Sequence, residues 1–227
     1  AKNDVVGKAQ TVLGLVDGDD LGITLPHEHL FCDIRRCRLE PTDAEEKELS
    51  CQKITLENLW YARYNKLYSE DNIVLDDENL AIREVMYFKE VGGNTIVDMT
   101  CNNIGRNPTA LVKVSKATGL NIIMGTSYYY ARSYTPEMKV ESRSEEDIAE
   151  EFIRDITVGV NDTGIKAGVV GEIGTSWPID KKERKTLRAA GIAQQETGAS
   201  INIHPGINPN APFECVKILE EAGANLS

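Results

Sequence analysis

His27 and His29 sit two apart in Leu25-Pro26-His27-Glu28-His29-Leu30, and they are two of the three histidines in the 227-residue chain. The stretch is apolar and reads as a strand, where side chains at i and i+2 point to one face. Both imidazoles can therefore reach one point in space, as a shared metal ion requires. The third histidine, His204, ends a second apolar run, Ile201-Asn202-Ile203-His204-Pro205-Gly206. A carboxylate, Glu172, ends a third, Gly168-Val169-Val170-Gly171-Glu172-Ile173-Gly174. Imidazole with carboxylate is ordinary zinc chemistry, and the two oxygens of a carboxylate can bridge two ions. His27, His29, Glu172 and His204 are thus candidate ligands, and the chemistry they point to is metal-assisted hydrolysis. Each residue also has a structural reading. A His-x-His pair arises by chance, His204 could serve as a core or helix-capping histidine, and Glu172 could form a loop salt bridge. Glu28 points away from its two neighbours and is a supporting contact rather than a ligand. Two facts favour the metal reading. All three histidines fall on strand-like runs, and a carboxylate at the end of an apolar strand is costly unless paired or metal-bound.

The elements that must position these residues alternate between periods of two and 3.6 along most of the chain. An N-terminal hairpin over residues 5–16 is followed by a turn at Asp17-Gly18-Asp19-Asp20 and a strand from Gly22 to Leu30. Residues 31–52 form an irregular, charged excursion. Thr55 to Tyr68 reads as a helix with Leu56, Leu59, Trp60, Tyr64 and Leu67 on one side. A second helix follows Asp76-Asp77, carries Ala81, Val85 and Phe88, and stops at Gly92-Gly93. Strands then begin near residues 95, 121, 167 and 200. Between them lie helices over 107–118, after a Ser144 cap, and over 180–197 closed by Gly198. A last helix from Pro212 to Ala222 has Phe213, Val216 and Leu219 on one side. Short, almost wholly apolar strands alternating with helices are the pattern of a covered parallel sheet. His27, His29, Asp98, Glu172 and His204 fall at or near strand C-terminal ends. Residues from separate strand ends meet at the rim of a (β/α)8 barrel, or near the switch point of an open doubly wound sheet. The barrel is preferred because closure brings the first and fifth strands to one rim. Five strands and ~250 residues as the usual size of that fold make the chain an N-terminal fragment of a TIM barrel.

The balance of 25 Lys+Arg against 36 Asp+Glu, a formal net charge of -11, argues against nucleic acid or an anionic membrane as partner. It leaves room for a small anionic substrate, because a local metal or arginine outweighs the global field. No apolar run approaches the roughly 20 residues that span a bilayer, and no secretory segment opens the chain. Five cysteines without close pairing fit reduced thiols in the cytoplasm. No GxGxxG, Walker or Gly-x-Ser-x-Gly pattern is present.

Four segments together carry a family resemblance. They are Gly7-Lys8-Ala9-Gln10-Thr11-Val12-Leu13-Gly14, Thr24-Leu25-Pro26-His27-Glu28-His29-Leu30, Gly171-Glu172-Ile173-Gly174-Thr175-Ser176-Trp177-Pro178 and Ile203-His204-Pro205-Gly206. The chain resembles the phosphotriesterase-related proteins of the amidohydrolase superfamily, closer to the animal branch than to the bacterial organophosphate hydrolases. The resemblance implies a single metal-dependent hydrolase barrel over 1–227, C-terminally truncated, with two zinc ions per full-length subunit. It implies that His27 and His29 hold the more buried ion, that Glu172 is the bridging carboxylate and catalytic metal bridge, and that His204 opens the second ion's ligand set. Organophosphate hydrolases place a carboxylated lysine near that bridge. Here Lys166 precedes the strand and is not assigned that role. A further histidine and a proton-shuttling aspartate are expected after Ser227, so the fragment alone is expected to be inactive. The implied reaction is attack by a metal-bridging hydroxide, with N-acetyltaurine or a related N-acyl amino acid as leading substrate. A lactone or phosphotriester hydrolase on the same scaffold, and a non-catalytic binding protein retaining the barrel, are the alternatives. Arg106, Arg132, Tyr128 and Tyr129, in loops after strands, are candidate contacts for an anionic small-molecule substrate, with Arg35 and Arg36 as further candidates. A homodimer is the oligomeric option.

Overall fold

A computed structural model describes residues 5–226. Strands β1 (Lys8–Thr11) and β2 (Gly14–Asp17) form the expected antiparallel hairpin, with Lys8 opposite Asp17 and their side chains 2.9 Å apart. The hairpin lies across the sheet near the starts of its strands. Val12 donates its N–H to the Ile122 carbonyl at 2.8 Å, and a Cβ on Gly168 would stand 2.2 Å from the Gln10 carbonyl oxygen. Glycine at 168 is what allows that approach.

Strand β3 (Ile23–Glu28) opens the main sheet. An excursion follows, with β4 (Cys32–Asp33), α1 (Ala44–Ser50), α2 (Leu59–Tyr64) and β5 (Val74–Leu75). The antiparallel β4–β5 pair closes its base. Then come α3 (Glu78–Glu90), β6 (Gly93–Asp98), α4 (Pro108–Thr118), β7 (Asn121–Thr126), α5 (Glu145–Thr157), β8 (Val169–Gly174), α6 (Lys181–Thr197), β9 (Ile201–His204) and α7 (Ala211–Glu221). The five long-range strands are all parallel, in the order β3-β6-β7-β8-β9. This is the curled five-strand part of a TIM barrel. Among the described residues no helix is long and apolar enough to cross a membrane.

Helix ends obey the sequence. Asp77 accepts from the Leu80 N–H, Asn107 from Ala110 with Pro108 in the first turn, and Ser144 and Asp147 cap each other's backbone. Gly119 and Gly198 close α4 and α6 in the left-handed conformation at φ 70° and 77°, which costs glycine nothing. The strands alternate as their period requires. Ile122 and Met124 pack outward with Ile96, Leu111 and Val114 against the helices, while Ile123 packs inward with Val97, Met99 and Val169. Full burial of a side chain such as Leu111 is worth about 1.5–3 kcal/mol. A second outer cluster, around Phe152, Ile173, Leu187 and Ile218, joins β8 to α5, α6 and α7.

Three expectations need correction. The helix read over Thr55–Tyr68 is only Leu59–Tyr64. Asn58 accepts from the Thr55 N–H at 2.7 Å and donates to the Lys53 carbonyl at 2.9 Å, so its side chain holds residues 53–58 as a turn ahead of the helix. The apolar stripe faces outward as well: Leu56 and Tyr64 are exposed and Tyr61 and Ala62 are buried instead. In α7 the buried side is Ala211, Cys215, Ile218 and Leu219, while Phe213 and Val216 are exposed. Two apolar stripes compete there, and packing against α6 selects one. Gly191 on α6 leaves the space, since its Cβ would lie 3.1 Å from that of Ala222. Finally, residues 31–52 are not wholly irregular. Asp43 accepts from the N–H groups of Glu45 and Glu46 and starts α1.

Candidate metal centre

His27 lies in β3, His29 just beyond it, Glu172 in β8 and His204 at the end of β9. Strand irregularities aim them. Plain alternation would put Leu25, His27 and His29 on one side. The β3–β6 register shifts between Leu25 and Glu28, so Leu25 and Leu30 pack outward against the helix-side core while the histidines face inward. In β8 the register shifts between Val170 and Ile173. Val170 and Ile173 pack outward, and Glu172 turns inward. Such irregularities re-aim side chains beside functional sites.

All four residues meet. The Glu172 carboxylate is 1% exposed, with Oε2 at 3.0 Å from His27 Nε2 and 2.8 Å from His204 Nδ1, and Oε1 at 3.4 Å from His29 Nε2. One donor atom each from His27, Glu172 and His204 falls within 4.8 Å of the others. The histidine side chains are 28–44% exposed, so the carboxylate forms the floor and the imidazoles the wall of an open site. The resemblance pairs His27 with His29. Here Glu172 Oε2 is shared by His27 and His204, and Oε1 faces His29.

This donor set fits zinc. Nitrogen and oxygen ligands about 2.0–2.2 Å from a tetrahedral ion stand roughly 3.3–3.6 Å apart, at or just beyond the separations found here. A buried carboxylate with three imidazoles around it is also the kind of charge that needs a cation or a proton to be tolerated.

The surroundings hold the ligands in place. The Glu172 backbone carbonyl accepts from the Cys101 thiol at 2.7 Å and from the Ser127 hydroxyl. Burial, then the nearby Glu172 charge, pushes the Cys101 thiol well above its usual range, so it stays an S–H donor. Cys32 is pushed up to about 12 by burial, then by Asp98 and Glu172. Asp98, 1% exposed, accepts from the Leu30 N–H at 2.7 Å and the Thr100 N–H at 3.0 Å. Burial pushes its carboxyl above the usual carboxylate range. Thr100 Oγ1 lies 3.0 Å from His29 Nδ1. Asp98 is legible in the sequence as a strand-end carboxylate, whereas Thr100, Cys101 and Ser127 are not. Their position just past β6 and β7 is the only signal that could have found them.

Of the candidate substrate contacts, Tyr129 reaches the cluster. Its hydroxyl is 3.3 Å from His204 Nε2 and its ring stacks edge-on at 4.9 Å. Burial, then Glu172, raises its phenol, which stays neutral. Gly174 makes room for this loop, since a Cβ there would stand 2.3 Å from the Tyr130 nitrogen. Tyr128 is turned toward α5 instead: its hydroxyl donates to Glu151 at 2.6 Å and accepts from Arg143 at 2.8 Å. Arg106 pairs with Asp155 at 2.8 Å in the core. Arg132 is exposed and donates to the Arg38 carbonyl at 2.9 Å. Arg35 pairs with Asp33. All five cysteines are free thiols.

The family model described as the phosphotriesterase family matches residues 7–227. A phosphotriesterase-related protein of Nematostella vectensis is 45% identical over 224 residues, covering 97% of this chain and 63% of that protein. An N-acetyltaurine hydrolase of Dictyostelium discoideum is 39% identical, covering 98% of this chain and 65% of its own length. A crystal structure of a resiniferatoxin-binding protein from Rhodobacter sphaeroides superposes with a TM-score of 0.91 at 37% identity, over 97% of this chain and 61% of that one. A lactonase from Listeria monocytogenes gives 0.72 at 25% identity, over 96% and 63%. The chain thus spans just under two thirds of the length of the relatives it matches. The chain belongs to the phosphotriesterase family.

Proposed function

We propose that the protein is a zinc-dependent hydrolase that cleaves the amide of N-acetyltaurine or a related N-acyl amino acid. In this reading residues 1–227 are the N-terminal part of one hydrolase barrel. The observation that carries it is the buried Glu172 carboxylate ringed by His27, His29 and His204. Relatives named for N-acetyltaurine hydrolysis support the substrate class.

His27, His29, His204 and Glu172 would hold the zinc ions. When bound, the ions polarise a carbonyl and acidify water. The chain's own residues do the rest. Cys101 and Ser127 fix the Glu172 backbone, so its carboxylate keeps its aim without reorganising. Tyr129, a neutral phenol beside His204, is placed to donate to an acyl oxygen. Arg132, exposed on the same loop, is the cation assigned to a distal sulfonate or carboxylate. The reading also places the protein in the cytoplasm, where its thiols stay reduced.

A lactone or phosphotriester hydrolase is the second reading, favoured by the likeness to the Listeria lactonase. A non-catalytic binding protein is the third, favoured by the likeness to the resiniferatoxin-binding protein. Stripping the full protein with a chelator and reloading zinc separates them on a panel of N-acetyltaurine, N-acyl amino acids, lactones and aryl phosphotriesters. The expected result is amide cleavage that vanishes on stripping and returns with zinc. Dominant lactone or phosphotriester turnover would replace the first reading with the second. Tight zinc uptake with no turnover of any panel member would favour the binding protein.

A further inference from the structure

His29 is gripped on the side away from Glu172. Its Nδ1 lies 3.0 Å from Thr100 Oγ1, and Thr100 Oγ1 lies 2.8 Å from the Phe31 carbonyl oxygen. Thr100 is 1% exposed, so no water competes for these bonds. A threonine hydroxyl has one proton and a carbonyl has none. The Thr100 proton therefore goes to Phe31, and the bond between Thr100 and His29 needs a proton from the imidazole. Neutral His29 then carries its hydrogen on Nδ1 and its lone pair on Nε2. That lone pair faces Glu172 Oε1 at 3.4 Å. Two acceptors opposed at this distance repel each other, and a cation that both can ligate removes the conflict.

We propose that Thr100 is a positioning residue that fixes His29 as its Nδ1–H tautomer and so presents Nε2 to a metal ion. Asp98 completes the device. Its two oxygens hold the Leu30 and Thr100 N–H groups at 2.7 and 3.0 Å, which locks the chain after His29 against the turn that carries Thr100. A ligating histidine whose second nitrogen donates to a fixed acceptor is the usual way a protein sets ring orientation. Here the acceptor is a neutral hydroxyl, so it orients the ring without adding charge to a site that already holds Glu172.

The inference rests on the zinc reading, and its test separates the two. Nitrogen-15 NMR of the metal-free protein at about pH 8.5, roughly two units above an ordinary imidazole pKa, reads the His29 tautomer directly. The expected spectrum shows Nδ1–H. Thr100→Val, which keeps the shape and removes the hydroxyl, should shift His29 toward Nε2–H and lower zinc affinity by about 10–100-fold. Thr100→Ser should restore both. A wild-type spectrum showing Nε2–H overturns the proposal, as does a folded Thr100→Val with unchanged tautomer and zinc affinity. If Thr100→Val does not fold, the wild-type tautomer decides. Nδ1–H in a protein that takes up no zinc would leave the tautomer assignment standing and defeat the zinc reading alone.

Discussion

In the full-length protein, Glu172→Gln should lower zinc affinity by more than about 100-fold and remove the proposed hydrolytic activity. Outer partners of metal ligands are each worth about 10–100-fold in affinity, and in the proposed site Glu172 is a direct ligand. Its two oxygens lie 2.8–3.4 Å from all three histidines. The amide keeps the volume but loses the charge and turns one acceptor into a donor. A loss of about 4 kcal/mol in transition-state stabilisation corresponds to a roughly 1,000-fold fall in kcat/KM. The fold should not suffer. The Glu172 N–H still donates to the Met99 carbonyl at 3.3 Å, and its own carbonyl is still held by Cys101 and Ser127. Circular dichroism melting of the metal-free variant should therefore match the metal-free wild type. Unaltered activity in Glu172→Gln would sink its assignment as the bridge.

The second large effect lies at Glu183, which no sequence pattern marks as anything but a helix-start acid. It is completely buried. Its Oε1 accepts from the Ala131 N–H at 2.8 Å, and its Oε2 from the Ser176 N–H, Ser176 hydroxyl and Asp180 N–H at 2.9, 2.8 and 2.9 Å. One carboxylate therefore ties the loop carrying Tyr129 to the loop after β8. That second loop reaches His204 through the Thr175 N–H, which donates to the His204 carbonyl at 2.9 Å. Glu183→Ala strands three backbone N–H donors at once, while the Ser176 hydroxyl can turn to the Pro178 carbonyl at 3.0 Å. With an unsatisfied buried group costing about 1–3 kcal/mol, the expected destabilisation is about 3 kcal/mol or more in urea unfolding. Glu183→Gln can keep its oxygen at the Oε2 position and three of the four bonds, and should cost about 1–3 kcal/mol. Equal stability of the alanine variant and the wild type would mean that water replaces the carboxylate.

The contrast between Glu172 and Glu183 shows what the sequence makes legible. Strand periodicity, the Ser144 and Asp77 caps and the Gly119 and Gly198 stops are local signals, and the elements begin and end within a few residues of them. Glu172 stood out because an acid ending an apolar run is chemically anomalous. That it faces inward depends on the register shift between Val170 and Ile173, which only pairing with β9 creates. Glu183 caps its own helix with Asp180, which is a local signal, but its bond to Ala131 and that of Thr100 to His29 join residues 52 and 71 apart, and nothing in their own neighbourhood announces those. The stripes on α2 and α7 misled for a related reason. Leu56, Tyr64 and Phe213 have helical spacing, yet each is exposed, because periodicity gives a face and only tertiary packing decides whether that face is covered. Tyr128 and Arg106 show the same limit. Their loops follow the right strands, but α5 holds the partners Glu151 and Asp155 that turn them away from the cluster.

The central claim is that Glu172 and the three histidines form a zinc site. The most direct measurement is an anomalous difference map at the zinc edge from crystals of the zinc-loaded protein. The expected density lies beside the Glu172 carboxylate, within ligand distance of His27, His29 and His204. Zinc density elsewhere, or none in this cluster from a protein that binds zinc in solution, would contradict it.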